Sequence, residues 1–95
     1  MNEKDKNIIS TLLNDDCLTS TQLTVYLAMY LILLERGFSD RVFISRREVM
    51  QLSRINSFAT YHKNIQHLKR LGYIEYLPSY HPHKGTMIIF NFKIS

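Results

Sequence analysis

One cysteine, Cys17, stands in a chain of 95 residues, so no intramolecular disulfide can form and stability must come from packing. That usage fits a reducing compartment. The polar start, Met1 to Asn7, lacks the apolar core and small-residue cleavage site of a signal peptide, so a cytoplasmic protein is expected. Tryptophan is absent, and there are only two prolines and three glycines, too few for a low-complexity or linker-rich chain. Both prolines fall in one loop, 78–84. The one long apolar run is Leu23 to Leu34, in which eleven of twelve residues are apolar. As a helix it spans about 18 Å, short of the roughly 30 Å hydrocarbon core of a bilayer, so no membrane partner is expected.

Acidic residues are scarce in one half only. Residues 1–40 hold three basic and six acidic side chains, net −3; residues 41–95 hold nine basic and two acidic ones, net +7. A basic half of that size attracts polyanions at long range, although a solvated surface with no partner has the same composition.

The apolar periodicity predicts one α+β domain, 19–95, preceded by an extension, 1–18, that can form two helical turns over Asn7–Leu13 through Ile8, Ile9, Leu12 and Leu13. Thr19 and Gln22 make a capping box for a helix over about 20–36, and Gly37 suits the left-handed position that ends it. Leu23, Leu27, Tyr30 and Leu34 are expected to face the core. The opposite side, Val25, Ala28, Met29 and Ile32, then needs a second cover, either the N-terminal extension or another copy of the chain. Val42–Ile44 reads as a short strand, Ser45 and Glu48 as a second capping box, and 46–52 as a short helix. After a turn at 54–57, Ser57 caps a helix over 58–71 whose stripe Tyr61, Ile65, Leu68 faces inward and which Gly72 ends. Two strands follow, 73–77 and 86–92, joined by a basic, aromatic loop. Helix, strand, helix, turn, helix and hairpin in that order is a winged helix-turn-helix: three core helices with a small antiparallel hairpin wing.

On that arrangement the helix 58–71 would enter a major groove by its free face, Phe58, Ala59, His62, Lys63 and Gln66, with His67 at its margin. Gln66 suits adenine, Lys63 a guanine edge or a phosphate, and Phe58 or Ala59 a thymine methyl; the plainer reading is a solvated polar face. Arg46 and Arg47 open a helix against its dipole, which phosphate contact would explain. Tyr80, His81 and Lys84 sit in the hairpin loop, where a wing would meet the backbone or the minor groove. His81 and His83 lack the further ligands a zinc site needs, and His62 and His67, five apart, fit one helical face poorly. No metal, no cofactor and no catalytic residue is assigned: neither a nucleophile elbow nor a Gly-rich phosphate loop is found, so no enzyme is expected. Cys17 is expected to be a buried or interface thiol.

The run Ser57-Phe-Ala-Thr-Tyr-His-Lys-Asn-Ile-Gln-His-Leu-Lys-Arg-Leu-Gly-Tyr-Ile74 resembles the S-x-x-T-x-x-x-x-I-x-x-L-x-x-x-G-Y-I core of winged helix regulators, a group that includes MarR-like repressors and phage replication-organiser domains. The stretch Gly72 to Thr86, with its P-S-Y-x-P-x-K-G-T wing, is similar to small regulators and excisionase-like proteins on conjugative transposons of Bacteroides-type bacteria. The resemblance covers roughly residues 19–92. It implies double-stranded DNA as partner, met by Ser57, Phe58, Ala59, Thr60, His62, Lys63 and Gln66 on the helix and by Tyr80, His81 and Lys84 on the wing. It also implies a role in transcription regulation or as a recombination accessory, with a recombinase or other protein beside it. A homodimer through the second apolar side of helix 20–36 is expected separately, since two copies would double the contacts to an inverted repeat. The alternatives are a protein-interaction adaptor and a replication-initiation accessory domain. One departure stands out: Tyr61 occupies a buried position that is usually small and aliphatic, which would push the helix outward or bring the hydroxyl near a phosphate.

Overall fold

The computed structural model describes residues 2–37, 39–78 and 85–92. They form a small α+β domain of four helices and a three-stranded antiparallel sheet. In chain order these are α1 (Glu3–Leu13), α2 (Ser20–Glu35), β1 (Arg41–Ile44), α3 (Arg46–Ser53), α4 (Phe58–Arg70), β2 (Ile74–Pro78) and β3 (Thr86–Phe90). None of these helices is long and apolar enough to cross a membrane.

The expected capping boxes form. Thr19 Oγ1 accepts the amide of Gln22 while the Gln22 side chain accepts that of Thr19, and Ser45 and Glu48 repeat the exchange at α3. Each box gives partners to amides that a helix start leaves orphaned. The end of α4 is closed by a Schellman motif, in which the Tyr73 amide donates to the Leu68 carbonyl and that of Gly72, at φ 87°, to Lys69. The sheet order is β1-β3-β2, so β1 pairs with the far arm of the hairpin. Alternation along the strands turns Val42, Ile44, Ile74, Ile88 and Phe90 inward, with Val42 and Tyr76 flanking Ile88. Gly85, at φ 77°, sits against β1, and a Cβ there would lie 2.2 Å from the Ile44 carbonyl oxygen, so only glycine fits that approach.

Two expectations about α1 and α2 are corrected. The N-terminal helix starts four residues earlier than its apolar spacing suggested, because Asn2 caps it by accepting the Asp5 amide and Glu3 and Asp5 suit its first turn. Ile8 and Leu12 are buried in the main core. On α2 the buried face is Val25, Tyr26, Ala28, Met29, Tyr30, Ile32 and Leu33, whereas Leu27, Leu31 and Leu34 are exposed. Val25, Ala28, Met29 and Ile32 are therefore covered within the chain itself, and of the four residues expected to face the core only Tyr30 is fully buried, Leu23 being partly so. Tyr26, Tyr30 and Phe90 form a cluster of rings, with centroids 5.4 to 6.2 Å apart, at the junction of α2 and the sheet.

Candidate nucleic-acid interface

Held by Tyr61, Asn64, Ile65 and Leu68, α4 leaves Phe58, Ala59, Thr60, His62, Lys63 and Gln66 exposed. The four anchors recur at i, i+3, i+4 and i+7, the spacing of one helical face. Tyr61 is 2% exposed, with its ring in the core, and burial raises its phenol pKa to about 12. The second contributor to that shift is Tyr76, and the positive charge of Arg46 opposes both. Asn64 is buried and satisfied, donating to the Thr60 carbonyl at 2.8 Å. His67 departs from the free face: its Nε2–H donates to the Cys17 carbonyl, 3.1 Å away, tying α4 to the loop between α1 and α2. Cys17 itself is exposed rather than buried, because the loop is held through its backbone, with the Cys17 amide on Asp15, and its thiol is not part of the core.

Arg46 and Arg47 begin α3 beside the start of α4. The Arg46 guanidinium lies over the Phe58 ring, 4.3 Å from its centroid. Together Arg46, Arg47 and Phe58 line an open groove with Gln51, Arg54 and Asn56, floored by Met50 and Ile55. A second groove adjoins it through Arg54 and Asn56 and runs past Ser57 and Thr60 to Thr21 and Thr24 at the start of α2. Ser57 caps α4 by accepting the Thr60 amide at 3.3 Å. Expected site residues from two separate helix starts are thus brought together. Gln51, Arg54 and Asn56 were missed by sequence reasoning, since 54–57 registers there only as a turn and Gln51 only as a polar position of the short helix. Tyr80, His81 and Lys84, like His83, lie outside the described residues.

Charge is distributed unevenly over this side. No acidic residue occurs from Val49 to Ile74, a stretch that carries Arg54, Lys63, Lys69 and Arg70. Glu48 is already engaged, its carboxylate accepting from the Ser45 amide and from Arg36. Among the described residues two ion pairs form, Arg36–Glu48 and Arg41–Asp40, so Arg46, Arg47, Arg54 and Lys63 have no carboxylate partner there. Lys69 and Arg70 have an ordinary explanation, because cations suit the last turn of a helix. Arg46 and Arg47 have no such explanation at a helix start. Among the described residues no three His, Cys, Asp or Glu side chains gather as a metal site.

No family model matches the chain, and no curated protein or solved structure matches it either.

Proposed function

We propose that this chain is a winged helix-turn-helix protein that binds double-stranded DNA in a sequence-specific manner and is not an enzyme. The observation that carries the reading is the face of α3 and α4: cations without a carboxylate partner among the described residues, amides and the exposed Phe58 ring, with no acid between Val49 and Ile74. A major groove about 12 Å wide admits a helix, and a helix that enters it needs donors and small apolar groups on its free face and no carboxylates facing phosphate. On this reading Gln66 and Lys63 contact base edges, while Arg46 and Arg47 contact phosphates. Tyr80, His81 and Lys84, outside the described residues, are the further backbone contacts proposed from the sequence. The action would be that of a transcription regulator or an excisionase-like recombination accessory of a mobile element, with a recombinase as a further partner.

A second reading, a protein-interaction adaptor, is favoured by one specific feature. Leu27, Leu31 and Leu34 are exposed on α2 and, with Ile9 of α1, line a shallow apolar groove. Within the DNA-binding reading the same groove is where a homodimer would form, doubling the contacts to an inverted repeat.

The deciding experiment is binding to duplex DNA at two salt concentrations, wild type against Lys63→Ala combined with Gln66→Ala. DNA recognition through α4 predicts tight binding that falls steeply with salt and weakens in the double variant. Absence of binding at low salt by folded protein would overturn the reading and turn attention to the α1–α2 groove.

A further inference from the structure

The feature of the α3–α4 face that phosphate clamping alone leaves unexplained is Phe58. Among the described residues it is the one Phe or Tyr side chain in the exposed class, at 60%. Every other described ring of those two types is buried or half-buried. Exposed leucines occur singly on most protein surfaces, but this ring opens the helix that carries the free polar face, and it is held. The Arg46 guanidinium, from a different helix, lies over the ring at 4.3 Å from its centroid in a cation–π contact that covers one side of it. A guanidinium carries five N–H donors and the contact with a ring face uses none of them in a hydrogen bond, so Arg46 can hold the ring and still meet an anion.

The major groove offers donors and acceptors on all four bases, and one strictly apolar group, the 5-methyl of thymine. An aromatic ring carried into that groove at the first turn of a helix has that methyl as its matching partner. We propose that Phe58 is a specificity-determining residue that reads the 5-methyl of a pyrimidine, with Arg46 as its positioning residue, anchored on the adjacent phosphate. This rests on the DNA-binding reading above and sharpens it. Because the group read is the methyl and not the Watson–Crick edge, 5-methylcytosine presents the same feature in the same groove. Binding is therefore sensitive to cytosine methylation at that position.

The test uses a duplex selected by the full chain from a random pool, then resynthesised with deoxyuridine in place of each thymine in turn. At one thymine per bound helix the loss of the methyl weakens binding about fourfold, the value for one buried methylene-sized group. At that position cytosine binds worse than thymine, and 5-methylcytosine recovers part of the difference. Phe58→Ala binds thymine and deoxyuridine equally while keeping the salt dependence, and Phe58→Leu, which retains an apolar tip, keeps a preference. Arg46→Ala lowers the salt slope by about one and shrinks the methyl preference along with it. Both positions are exposed, so melting temperatures report whether each variant remains folded. Wild type that tolerates deoxyuridine at every position, or Phe58→Ala that keeps the preference, overturns the inference and leaves DNA binding intact. A chain that binds no duplex at all overturns the DNA-binding reading and this inference with it.

Discussion

The two halves of the chain treat their charges in opposite ways. In residues 1–40 three carboxylates are engaged within the chain: Asp5 accepts from the Tyr30 hydroxyl, Asp15 from the Tyr73 hydroxyl and the Cys17 amide, and Asp40 pairs with its exposed neighbour Arg41. The bonds to Tyr30 and Tyr73 tie the terminal helix and the α1–α2 loop to the core, whereas the Asp40–Arg41 pair joins exposed neighbours in the chain. On the α3–α4 face the cations have no carboxylate partner among the described residues, and the polar side chains are exposed. Charge on the first side thus contributes to holding the fold, whereas charge on the second contributes little to it and is available for a partner. Substitutions on the two sides should therefore separate cleanly, the first changing stability and the second changing binding.

The largest expected effect tests the first half of that statement. Leu12 is 2% exposed although α1 precedes the domain that the sequence suggests. Leu12→Ala should destabilise the protein by about 2–5 kcal/mol, the range for truncating a buried leucine, as read from chemical denaturation. DNA affinity measured on the remaining folded fraction should be unchanged. The converse is the Lys63→Ala, Gln66→Ala pair, whose exposed positions predict a stability within about 0.5 kcal/mol of wild type. If Leu12→Ala proved neutral, α1 would be an appendage and the comparison would fail on its acidic side.

A smaller effect separates the halves by pH. The Tyr73 hydroxyl, and after it the Cys17 amide, hold the Asp15 carboxyl below its ordinary pKa of 3.8. Burial, followed by the bond to Asp15, raises the Tyr73 phenol to about 12. A depressed carboxyl contributes stability that is present above pH 3.8 and lost as pH falls through the lower folded value. A raised phenol contributes stability that is complete below its ordinary value of 10 and lost as pH rises toward about 12. Tyr73→Phe should therefore cost about 1 kcal/mol at neutral pH, a solvent-screened value for a bond to an accessible carboxylate. It should also flatten the stability profile at both extremes. Denaturation midpoints measured across pH check this, and an unchanged profile would mean that the Asp15 link does not hold the loop.

What the sequence made legible follows from where polarity alternates. The inward stripe of α4, the capping residues Thr19, Ser45 and Ser57, and the glycine at the end of α4 were readable because apolar and polar positions there differ in kind. The buried face of α2 was not, because eleven apolar residues in twelve leave no period to choose between Leu27 and Val25. Nor was the true start of α1, whose first turn is polar throughout and is marked only by Asn2 and two acids. On the candidate site, Arg46, Arg47 and the free face of α4 were readable from charge and spacing. The stacking of Arg46 on Phe58 and the inclusion of Arg54 were not, since both depend on how α3 turns into α4.

That turn gives the smallest prediction. Arg54 closes α3 in the left-handed conformation, φ 60° and ψ 36°, and among the described residues it is the only non-glycine with positive φ. The closure has Schellman geometry: the Ile55 amide donates to the Met50 carbonyl at 2.9 Å, and that of Arg54 to Gln51 at 3.3 Å. Glycine is the usual residue there, because a Cβ in that conformation costs roughly 1–2 kcal/mol. Set against about 0.4–1 kcal/mol for the greater freedom glycine gives the unfolded chain, Arg54→Gly should gain about 0.5–1 kcal/mol in stability. The same side chain lines both grooves of the basic face and has no carboxylate partner among the described residues. The variant should therefore bind DNA more weakly, with a salt slope lower by about one, while melting at a higher temperature. A residue that strains its own helix end and yet faces the groove is what a functional constraint on the basic side produces. If Arg54→Gly were more stable and bound equally well, Arg54 would have no part in binding, and the contrast between the two halves would stop at α3.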